Sequence, residues 1–171
     1  MSRKKNAAPP PANSDARYRV ELERTKRAST LQVLFKVARL VDELAIARAA
    51  ARDGAPKLRR SHTSLLPHIA LEGTRITDIA DRLGISKQAV SQLVDDLEAH
   101  GVLARTPDPE DARARRVVFT ERGRAVLLDG LRVLSNLEAE FAKQIGADHM
   151  ANLREALLLL LDHLEADHAA D

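Results

Sequence analysis

The stretch Ser86-Lys87-Gln88-Ala89-Val90-Ser91-Gln92 gathers side chains that suit the reading of a base edge. At helical periodicity Lys87, Gln88, Ser91 and Gln92 share one face, while Val90, Leu93, Val94 and Leu97 share the opposite one. Gln can bond the two groups that adenine shows in the major groove, Lys can bond guanine acceptors or a phosphate, and Ser can serve either. The alternative is plain: Lys and Gln are also good exposed helix formers. An Arg-rich loop not far downstream, between two short β-prone runs, favours the first reading.

Such a face needs a frame, and the surrounding residues predict one. Thr77 serves as N-cap of a short helix to Leu83, Gly84 permits a sharp turn, Ser86 caps the second helix and Gly101 stops it. Ala80, Gly84 and Val90 hold the small, turn and buried positions of a helix-turn-helix. Val102-Leu103-Ala104 and Val117-Val118-Phe119-Thr120 predict a two-stranded hairpin with a long tip.

Upstream, a long amphipathic helix is expected from Tyr18 to Arg52, ended by Asp53-Gly54-Ala55-Pro56. A shorter one follows from Ser61 or Thr63 to Glu72, with Pro67 in its first turns. Downstream, helices are expected from Glu121 to Ile145 and, after Gly146, from an Asp148 N-cap through Leu164. The run Ala156 to Leu161 is apolar around the whole helix, so a second subunit is expected to cover the face that one chain leaves bare.

Charge divides the chain in the same direction. Residues 1–125 hold 24 basic and 16 acidic side chains, whereas residues 126–171 hold 3 and 9, so one end suits a polyanion and the other repels it. The chain has no Cys, which excludes a disulfide framework, a thiolate metal site and a thiol switch. No secretory signal and no apolar stretch of membrane-spanning length is seen, and a cytoplasmic location is expected. Tyr18, Phe35, Phe119 and Phe141 are too few for a base-stacking surface, so duplex DNA is favoured over single strands or RNA.

From Arg75 to Gly123 the sequence resembles the winged-helix domain of the MarR family of transcriptional regulators. The likeness rests on ITDIADRLGISKQAVSQLVDDLEAHG, the strand VLAR and the run DPEDARARRVVFTERG, in which Asp108, Pro109, Asp111, Arg113, Val117, Thr120 and Gly123 match the family pattern. Phe119 replaces a Leu, and Ala112 replaces the first of two Arg. The resemblance implies that Arg113 reaches the minor groove while Asp111 orients it. Arg105, Arg115 and Arg116 are then expected to position the wing on phosphates, or to pair with Asp108 and Asp111.

The order of elements extends the likeness to roughly residues 30 to 165. The expected fold is mainly α: a winged helix-turn-helix with a two-stranded wing, flanked by N- and C-terminal dimerisation helices. The expected layout is a disordered basic arm at 1–17, a dimerisation helix and linker at 18–60, the DNA-binding domain at 61–123 and dimerisation helices at 124–171. The DNA-binding set is Ser86, Lys87, Gln88, Ser91, Gln92, Arg105, Asp111, Arg113, Arg115 and Arg116.

The family likeness also implies a small aromatic or phenolic acid as ligand, with Lys36, Arg39, His62 and His68 as the side chains to line its site, and a repressor released by that ligand. No cofactor is expected. A metal-responsive regulator is the alternative, using His149, His163, Asp167 and His168 near the carboxyl terminus. No phosphate loop, nucleophile elbow or His-Glu-x-x-His cluster suggests an enzyme. A dimeric helical adaptor that uses its winged domain to bind protein is the remaining class.

Overall fold

From Ala12 to Ala50 the chain has neither Gly nor Pro, yet it forms two helices, α1 (Ala12–Ala28) and α2 (Thr30–Ala50). Ser29 divides them: its N–H donates to Thr25 O at 3.2 Å, closing the first, and its Oγ accepts from Gln32 N at 3.4 Å, opening the second. A serine hydroxyl competes with the ladder in this way, which the single helix expected from Tyr18 to Arg52 did not allow for. The computed structural model describes residues 12–111 and 113–170. Residues 1–11 of the expected arm lie outside it, while 12–17 are helical: past the last proline, Ala12 to Arg17 continue the helix that follows.

The chain divides into two units at Glu43 and Leu44. In the first, α1 carries the exposed pairs Glu21–Arg24 at 2.7 Å and Glu23–Lys26 at 3.0 Å, and none of the described residues of this unit whose burial is assigned is buried. Tyr18, Val20, Leu31 and Phe35 are exposed apolar side chains of the same unit.

In the second unit α2 ends at Ala50 and Gly54 turns the chain with φ +73°. Next comes α3, which runs only from Arg60 to Leu65 before Leu66–His68 tightens into a 3₁₀ turn. Pro67 sets that limit, since it lacks the N–H that an α-helix continuing to Glu72 would require. The expected longer helix is therefore replaced by a turn and by β1 (Thr74–Arg75), a strand too short for periodicity to show.

Then follow α4 (Ile76–Leu83), α5 (Lys87–Ala99), β2 (Leu103–Pro107) and β3 (Arg115–Phe119). The sheet has order β1-β3-β2, all antiparallel, with Leu103 opposite Phe119, Pro107 opposite Arg115 and Thr74 opposite Val117. It is thus three-stranded, not the bare hairpin expected.

The core of this lobe joins Leu65 and Ile79 to Val90, Val94 and Leu97 of α5 and to Val102, Leu103, Val117 and Phe119 of the wing. The apolar face read from the sequence is the buried one, with Leu93 packed at its edge. Gly84 has φ +64°, and its N–H bonds back to Ala80 and Asp81, closing α4 where the turn was expected.

The cap of α4 differs from expectation. Arg75 is the N-cap residue and offers no side-chain bond, while the Thr77 hydroxyl donates to Asp78 Oδ1 at 3.1 Å. Pairing of Arg75 with β3 fixes the backbone just before the helix, so Thr77 falls inside the first turn.

The last two helices are α6 (Glu121–Ile145) and α7 (Ala147–Ala170). Thr120 caps α6 by accepting from Gly123 N at 2.9 Å, and its hydroxyl donates to Gly101 O at 2.6 Å, so one side chain ties the helix start to the end of α5. Gly123 has no substitute: an added Cβ would lie 1.9 Å from the Val102 carbonyl oxygen. Asp148 is within the first turn of α7 rather than its cap, and the helix passes Leu164 to Ala170. Ion pairs Arg48–Glu140 at 2.5 Å and Arg52–Asp129 at 3.5 Å join the end of α2 and the turn after it to α6. Residues 151–167 of α7 are all exposed, and Leu159 keeps 66% of its surface.

Candidate nucleic-acid interface

Ser86 begins the site. Its Oγ accepts from Ala89 N at 3.1 Å, which spends the side chain on capping α5. Lys87, Gln88 and Gln92 are exposed, and among the described residues no hydrogen bond or ion pair occupies their side chains. They cover the first two turns of a helix whose other face is fully buried at Val90 and Val94. The rigid side of α5 therefore presents free donors and acceptors to solvent, the arrangement a groove-reading helix requires.

Ser91 shares that face but is half-buried, and its hydroxyl takes a 3.1 Å hydrogen bond from Arg105 Nη2. Arg105 itself faces inward, pairing with Asp95 at 2.7 Å and with Glu98.

At the far end of the wing the loop is closed by its own acidic residues. Asp111 Oδ1 accepts from Arg113 N at 2.9 Å and Asp111 O accepts from Ala114 N at 2.9 Å, so Asp111 shapes the tip through the backbone of Arg113. Arg113 and Arg115 are exposed, with no side-chain pairing among the described residues. Ala112, where the family pattern is broken, lies outside them.

The wing base is held by a brace in which Arg116 pairs with Asp108, one of its two expected roles, while Arg75, 33 residues from Asp108, joins without a sequence signal. The fully buried Asp108 carboxylate accepts from Arg75 Nε at 2.5 Å, from Arg116 Nε at 3.1 Å and from Glu110 N at 2.9 Å. Arg75, with the Glu110 N–H and Arg116, holds the Asp108 carboxyl far below the usual carboxylate range. Arg116 also reaches Glu110 at 3.2 Å. Of the wing arginines, Arg105 and Arg116 are thus engaged within the protein, while Arg113 and Arg115 point to solvent.

The comparisons with known proteins agree with this geometry. The sequence profile of the MarR family matches residues 57–114. A transcriptional regulator from Thermotoga maritima is 25% identical, covering 81% of this chain and 95% of its own, with a TM-score of 0.59. The transcriptional repressor CouR, solved bound to a 23-mer DNA duplex, is 26% identical over 81% of this chain and 94% of its own, with a TM-score of 0.59. MarR shares the fold, at 21% identity over 81% of this chain and 99% of its own, with a TM-score of 0.66. Residues 57–114 thus match the MarR family, and most of the chain shares the fold of solved MarR-type regulators. Its lobe has the winged-helix fold of those transcriptional regulators.

Of the four side chains expected to line a MarR-type ligand site, two belong to each unit. Lys36 and Arg39 belong to the first unit, where Arg39 pairs with Glu43 at 2.7 Å. His62 is buried in the lobe, Nδ1 accepting from Arg59 N at 3.3 Å and Nε2 facing Asp96 Oδ2 at 3.4 Å. Burial pushes its pKa below the ordinary histidine value, against the pull of Asp96. His68 accepts from Arg82 through its backbone oxygen at 3.2 Å. His62 thus joins α3 to α5 through Arg59 and Asp96.

Among the described residues no group of three or more His, Asp or Glu is placed to hold a metal ion, and His163 meets only Asp167 at 3.6 Å. Among them, too, no helix is long and apolar enough to cross a membrane.

Proposed function

We propose that this chain is a regulator of the MarR family that binds duplex DNA as a homodimer, with α5 in the major groove and the wing tip over the adjacent minor groove. The observation that carries the reading is the unoccupied, exposed set Lys87, Gln88 and Gln92 on the free face of a helix buried at Val90 and Val94. Free donors at the start of α5 match the place where helix-turn-helix proteins contact base edges. Arg113 and Arg115 supply charge for the minor groove or its phosphates. Ser86 assists through backbone placement of the first turn, and Asp111 through the shape of the tip.

Dimerisation is supported by α7, whose leucines from Leu157 to Leu161 remain exposed in the single chain. A two-fold dimer then calls for an inverted-repeat operator with half-sites about one helical turn apart. Repression is the mode we assign, supported by the likeness to CouR. Release by a small aromatic or phenolic acid is supported by the likeness to the MarR family.

Selection of bound fragments from genomic DNA, followed by titration of a labelled duplex at several salt concentrations, tests the reading. A two-fold footprint and a steep salt dependence are expected. Absence of binding to any duplex at low salt would favour a protein-binding adaptor instead.

A further inference from the structure

Arg105 is the first wing-strand residue that sequence reasoning sends to the DNA, yet every polar contact it makes runs back into α5. Its backbone N–H donates to Glu98 Oε1 at 2.8 Å, and its Nη1 donates to the other oxygen of the same carboxylate. Its Nη2 reaches Asp95 Oδ1 at 2.7 Å, Ser91 Oγ at 3.1 Å and Ser91 O at 3.3 Å. Ser91, Asp95 and Glu98 stand at i, i+4 and i+7, which is one stripe along the helix. The guanidinium is therefore laid across two turns of α5 as a fork with each prong engaged.

Charge argues the same way. One guanidinium against two carboxylates leaves this cluster net negative, so the cluster repels a phosphate rather than attracting one. Only 23% of the Arg105 side chain is exposed, and freeing it for DNA would strip both carboxylates of their partner. At the same time β2 continues, in register with β3, into the loop that carries Arg113. A residue bonded to both the reading helix and the wing strand sets the angle between them.

We infer that Arg105, with Asp95 and Glu98, is a positioning latch that fixes the wing relative to the reading helix, and that it makes no contact with DNA. The inference rests on the duplex-binding reading above. Ser91 serves the latch from the reading face, so displacement of the wing is felt among the side chains beside Gln88 and Gln92.

Three variants separate a latch from a phosphate contact: Arg105→Ala, Arg105→Lys, and the double variant Asp95→Asn with Glu98→Gln. Each is titrated on a duplex carrying the selected inverted repeat and on a scrambled duplex of equal length, over a range of salt. A latch gives operator binding weakened on the order of tenfold, about 1.4 kcal/mol, in all three, with an unchanged salt slope. A phosphate contact gives a shallower slope in Arg105→Ala and retention in Arg105→Lys. It also gives tighter binding in the double variant, which loses two repelling charges, and that pattern overturns the proposal.

Hydrogen exchange in the free protein supplies an arm independent of DNA. Faster exchange at residues 91–98 and 103–105 in Arg105→Ala, with native helix content kept, supports the latch even if wild type binds no duplex. Unchanged exchange there removes it.

Discussion

The helix-turn-helix lobe and α7 belong to the same unit and are equally apolar in places, yet they treat their leucines in opposite ways. Leu65 and Leu97 are completely buried in the lobe, whereas Leu157 to Leu161 keep 38% to 66% of their surface. The lobe covers its apolar faces from every side, with α3, α4, α5 and the sheet around one cluster. Helix α7 has apolar residues on all sides, and its leucines from Leu157 to Leu161 stay open to solvent. The lobe closes its core within one chain, whereas α7 leaves the leucines that the proposed second subunit would cover.

The largest effect expected from this contrast is on assembly. Leu157→Glu combined with Leu161→Glu removes burial worth roughly 1.5 to 3 kcal/mol per leucine, at two positions in each copy. Sedimentation should show monomers at micromolar concentration with the helix content of the lobe kept. A dimer of undiminished stability would place the interface elsewhere.

Next comes the lobe itself. Leu97→Ala opens a cavity in a closed core and should cost roughly 2 to 5 kcal/mol in urea unfolding. If the loss appears only as easier dissociation, the lobe is not the self-sufficient body that the contrast makes it.

On the face proposed to meet DNA the effects are smaller and differ in kind. Gln88→Ala or Gln92→Ala should cost roughly 1 to 3 kcal/mol on the operator and little on scrambled DNA. Arg113→Ala should weaken both alike and lower the salt slope by about 1. If Arg113→Ala binds like wild type and both Gln variants keep full discrimination, the reading surface lies on another face.

The smallest effect is pH-dependent and confined to the lobe. His62 has a lowered pKa when folded, so the unfolded chain binds the extra proton first. Its contribution to stability is fully present above its ordinary value of 6.5 and is lost as pH falls from there toward the folded value. Thermal unfolding of wild type should show that decline, and His62→Gln, facing the same Arg59, Asp96 and His100, should flatten it. Asp108 acts in a lower window: its contribution persists above the ordinary 3.8 and fades only in stronger acid, as Arg75 and Arg116 hold it ionised.

Much of this was legible in the residues themselves. The Ser86 cap, the Gly84 turn, the buried stripe of α5 and the Glu121 start of α6 depend on neighbours within a few positions, and local rules decide them. The free face of Lys87, Gln88 and Gln92 followed, because whatever is opposite a buried stripe must meet solvent. Pairings between distant residues could not follow. Arg75 meets Asp108 and Thr74 meets Val117 only because β1 joins the wing, and no periodicity marks a two-residue strand.

The wing arginines show the limit most clearly. Arg105, Arg113, Arg115 and Arg116 are one residue type in one stretch, and for Arg105, Arg115 and Arg116 the sequence leaves phosphate contact and pairing with a carboxylate equally open. Folding separates them, turning Arg105 toward Asp95 and Glu98, Arg116 toward Asp108 and Glu110, and leaving Arg113 and Arg115 outside. Composition sets how many cations the wing has. Which of them remain free depends on which carboxylates the tertiary structure brings within hydrogen-bonding reach, because ion pairing depends on distance and not on order along the chain.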